Sequence, residues 1–128
     1  MSDSAACQRC AASSEDTTHL FISCPRAAGI WAKLGLSPMP RFQDLWLVPS
    51  PDQLDDRVWP EMLLITLWRI WDSRNAVVFR SQDHTPDTTI RNIVTDLELF
   101  SHRFRDPVDK VAATSWLSYL AARLAVPL

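Results

Sequence analysis

Apolar positions recur every three to four residues along most of this chain, a spacing that predicts helices rather than strands. Pro25 opens a short helix with Ala27, Ile30, Trp31 and Leu34 on one face, and Gly35 is the residue that stops it. From about Asp56 to Arg80, Leu63, Leu64, Leu67, Trp68, Trp71, Val77 and Val78 wrap around more than one face. A helix so apolar is expected to be buried among others. Thr85-Pro86-Asp87 then provides an N-cap, a proline at the first helical position and an acid in the first turn. Ile90, Ile93, Val94, Leu97, Phe100 and Phe104 follow as one amphipathic stripe. A last helix starts at Asp106-Pro107-Val108-Asp109 by the same logic. It carries Val111, Trp116, Leu117, Leu120 and Leu124 towards a frayed C-terminus at Pro127-Leu128.

The predicted architecture is mainly α. A small zinc-stabilised N-terminal module, residues 1–35, is followed by a proline-containing linker, residues 36–56. A bundle of three longer helices, residues 57–128, packs with the module as one domain. Within the linker, Phe42, Leu45 and Trp46 are expected to form one turn against the core. With two glycines against nine prolines, tight hairpins and Gly-rich phosphate loops are disfavoured.

No apolar run approaches the roughly 18 residues of a membrane span, so no membrane partner is expected. Met1 to Ala6 has neither a basic start nor an apolar stretch, which reads as intracellular. The formal net charge of −2 means that nucleic-acid binding would need a local basic patch.

The chemistry is concentrated at the N-terminus, in the spacing Cys7-x2-Cys10-x8-His19-x4-Cys24. Three thiolates and one imidazole fill a tetrahedral shell for one zinc ion and leave no open position, which makes the expected site structural. Soft sulfur donors exclude calcium and magnesium. All three cysteines fall in the motif, and Cys24 precedes Pro25 at a helix start, where the dipole favours a thiolate. No catalytic residues are assigned. Asp52, Asp55, Asp56 and Glu61 read as a solvated loop and helix start, and His84 and His102 as surface histidines.

These residues carry a resemblance. Cys7-Gln8-Arg9-Cys10, then Glu15 to Phe21, Cys24-Pro25 and Ile30-Trp31, resemble the reverse-transcriptase zinc-binding domain of plant non-LTR retroelements. Leu67 to Asn75 with Val78-Phe79 is similar to the W-x-I-W-x-x-R-N-x-x-x-F stretch that follows in those polyproteins. The resemblance covers most of residues 7–105 and implies the same four zinc ligands and a retroelement origin. Nothing in the chain resembles the paired aspartates of the polymerase or the carboxylates of ribonuclease H, so neither activity is expected.

Two non-enzymatic functions follow as expectations. The first is a zinc-binding module that binds single-stranded RNA or DNA weakly. The second is a helical module that docks a protein partner, or a second copy, through exposed apolar surface. A third possibility is a retroelement remnant without selected function. Trp68 and Trp71 could stack on bases. At i, i+3 in an apolar helix they are expected in the core instead, as are Trp31, Trp46 and Trp59.

Overall fold

The computed structural model describes residues 16–38, 41–51, 54 and 56–125. It is mainly helical, and no strand occurs among the described residues. Four α-helices run in chain order: α1 (Pro25–Leu34), α2 (Trp59–Arg80), α3 (Pro86–Ser101) and α4 (Pro107–Ala125). Short 3-10 turns at Phe42–Leu47 and Asp56–Val58 lie between α1 and α2. Among the described residues, no helix is long and apolar enough to cross a membrane.

The helix starts follow the local chemistry of the sequence. Pro25 is the first residue of α1, and the Ala28 amide donates to the Cys24 carbonyl at 2.8 Å. At α3 the Thr85 hydroxyl accepts from the Thr88 amide at 3.2 Å, and at α4 the Asp106 carboxylate accepts from the Val108 amide at 2.9 Å. The helix expected from about Asp56 begins as a 3-10 turn, with Asp56 exposed and Glu61 in the first turn of α2. Asp52 and Asp55 lie outside the described residues, as does the expected fraying at Pro127-Leu128.

The segment before α1 departs from the irregular loop predicted there. The Asp16 carboxylate accepts from the His19 amide at 2.7 Å and starts a helical turn. The turn widens into a π-turn over His19–Ser23, closed by the Cys24 amide on the His19 carbonyl at 2.8 Å. The widening lets Leu20 and Ile22 both be buried before Pro25 resets the chain.

Helix α3 lies at the centre and packs against α1, α2 and α4. Its buried face is Thr89, Ile90, Ile93 and Leu97. Around it, Ala27, Ile30, Trp31 and Leu34 of α1, Met62, Leu63, Ile65, Leu67 and Ile70 of α2, and Ala112, Ala113, Trp116 and Leu120 of α4 form one apolar cluster. The linker joins this cluster through Leu45 and Val48, and Phe42 packs against it, as expected of that turn. Trp59 stacks on Trp116 with ring centroids 5.6 Å apart, and its Nε1 donates to the Val48 carbonyl at 2.9 Å. Trp31 and Trp59 are therefore core residues, but Trp46 is exposed at the end of its turn. Phe100, on the predicted amphipathic stripe, is exposed, as is Val111 of α4.

The C-terminal end of α1 is clamped from far along the chain. Gly35 is left-handed, with φ 74°, and the Gly35 and Leu36 amides return to the Ala32 and Trp31 carbonyls at 3.0 Å each. Tyr119 Oη donates to the Leu34 carbonyl at 2.6 Å and Arg123 Nε to the Lys33 carbonyl at 2.8 Å. Carbonyls that a helix end leaves without partners are thus met by α4. Lys33 is itself buried, with its ammonium 3.5 Å from Asp87 in the first turn of α3.

Two left-handed residues give opposite predictions. A Cβ on Gly35 would lie 2.8 Å from Tyr119 Oη in a conformation that side chains rarely adopt. Gly35→Ala should therefore cost about 1–2 kcal/mol or more in urea unfolding. Ser81, with φ 52° at the end of α2, already bears that strain, so Ser81→Gly should raise stability by about 0.5–1 kcal/mol.

Candidate functional site

The zinc expectation requires correction. Among the described residues, no group of three or more His, Cys, Asp or Glu side chains could hold a metal ion. Of the four predicted ligands, Cys7 and Cys10 lie outside the described residues, together with Arg9, and His19 and Cys24 lie within them. Two donors make half of a tetrahedral shell. Cys24 is fully buried and belongs to the apolar cluster beside Ala27 and Ile30, while His19 is half-buried at the start of the π-turn. What secures α1 in the described structure is burial and capping: its apolar face, the indole of Trp31 donating to the Phe21 carbonyl at 2.8 Å, and the α4 clamp. The description of this chain as a zinc-finger-like, metal-binding protein is therefore withdrawn; the expected four-ligand set itself lies half outside the described residues, where Cys7 and Cys10 fall.

The feature the structure adds lies on α2. Trp68 and Trp71 were expected in the core, yet they are 51% and 41% exposed. Residues 62, 63, 66 and 70 turn one face of α2 toward the bundle, and Leu64, Trp68 and Trp71, spaced four and three residues apart, line the opposite face. Trp68 and Trp71 touch each other, with ring centroids 5.3 Å apart and planes tilted by 35°. Beside them, Leu64, Ile65, Trp68, Asp96 and Phe100 line an open concavity of about 300 Å³. Leu64 and Phe100 are 55% and 43% exposed. The result is a contiguous apolar face shared by α2 and α3.

Charges beside this face are tied to one another. Arg69 Nε and Nη2 donate to the two carboxylate oxygens of Asp96 at 2.6 and 2.8 Å, a bidentate bond between α2 and α3. Asp72 accepts from Arg69 and from Arg80, at 3.4 Å each. The hydrogen bond to Asp96 raises the Arg69 pKa above its ordinary value against the opposing effect of burial, so the guanidinium is a fixed cation. Two arginines and two aspartates leave the rim neutral.

Basic residues elsewhere are mostly engaged as well. Arg26 pairs with Asp83, Arg41 with Asp44, and Arg57 with both Asp106 and Asp109. Arg91, Arg103, Arg105 and Lys110 are exposed and make no ion pair among the described residues; Arg103 and Arg105 lie in the α3–α4 connection with exposed His102, and Lys110 in the first turn of α4. His84 is half-buried before α3. The 4–3 spacing of Leu64, Trp68 and Trp71 was a readable signal of a second stripe on α2. Nothing in the sequence said which of its two stripes the bundle would cover.

Because the α2–α3 face is only half buried, replacing both of its indoles costs less than replacing a core pair. Trp68→Ser with Trp71→Ser should leave the helical circular dichroism intact and lower the unfolding free energy by about 1–3 kcal/mol. A core pair would cost more, about 3–5 kcal/mol for one Trp reduced to Ala. Compared with known proteins, the chain matches no family model, no curated protein and no solved structure.

Proposed function

We propose that this chain is a non-enzymatic helical interaction module that docks a protein through the face formed by Leu64, Trp68, Trp71 and Phe100. The observation that supports it is the Trp68–Trp71 pair, touching and about half exposed beside an open apolar concavity. An aromatic side chain carries about 150–250 Å², so the four residues together expose roughly 400 Å² of apolar surface. Patches of this size on a soluble protein are commonly functional. Tryptophan is also the residue type most enriched where binding energy concentrates. The similarity of residues 67–79 to a retroelement polyprotein stretch suggests where such a face originated.

A photo-reactive amino acid tests this reading. Placed at position 68 and irradiated in cell extract, it should give discrete protein adducts. The same group at exposed Ser118 on α4 should not. Equal labelling from both positions would remove the reason to single out this face.

Weak single-stranded nucleic-acid binding is the second reading. It draws on the same exposed indoles, which can stack on bases, and on the exposed cations Arg103, Arg105 and Lys110, which make no ion pair among the described residues. It predicts fluorescence anisotropy changes with single-stranded RNA or DNA that weaken as salt rises and that Arg103→Ala with Arg105→Ala diminishes. No salt-sensitive binding at high micromolar protein would rule it out.

A further inference from the structure

We draw no further inference here: the strongest candidate, the exposed apolar face of α2 and α3 around Leu64, Trp68, Trp71 and Phe100, belongs to the site already described, and nothing in the structure shows what covers it.

Discussion

The structure depends on the burial of one narrow stripe. Ile90, Ile93 and Leu97 of α3 are completely buried, and α1, α2 and α4 all pack on that helix. Three helices sharing one central neighbour must each present their most apolar face to it. For α1 and α4 this leaves outer surfaces of mostly small and polar residues with no exposed aromatic ring, although Val108 and Val111 of α4 are exposed. For α2 it does not, because that helix carries two apolar stripes and only one can face inward. The exposed Trp68 and Trp71 follow from a shortage of helices to cover them, and a helix with two such faces is suited to packing on both sides.

The polar contacts hold this arrangement in place. Asp96 grips Arg69 by both oxygens, fixing α3 against α2 at the edge of the exposed face, so the apolar surface is presented by a braced hairpin. Tyr119 and Arg123 close the end of α1, and Arg57 reaches Asp106 and Asp109 at the start of α4. Exposed ion pairs contribute little individually. Their value here is positional, since each joins segments about fifty or more residues apart, or adjacent helices, at a defined place. A rigid surface binds with less entropy loss than a mobile one.

Four donors in a familiar order predict a shell, but a shell is a statement about positions in space. Among the described residues only His19 and Cys24 of the set occur, and Cys24 packs with alanine and isoleucine in the core. The helix that follows has enough burial and capping of its own to account for its position.

Helix existence and most helix boundaries were legible along the chain itself. Thr85 and Asp106 cap, Pro25, Pro86 and Pro107 start, and Gly35 stops, because these effects act within one turn of backbone. The π-turn at His19–Ser23 escaped, because its cause is the burial of Leu20 and Ile22 against helices distant in sequence. Periodicity also revealed both stripes of α2. What it could not assign was their fate, because a period of 3.6 places residues on faces of a helix without saying which face meets a neighbour. That choice was made by α3, whose stripe covers the side bearing Leu63, Ile70 and their neighbours and leaves Leu64, Trp68 and Trp71 to the surface. The candidate site is thus a remainder of tertiary packing. Its residues were visible in the sequence, and only the three-dimensional arrangement exposed them.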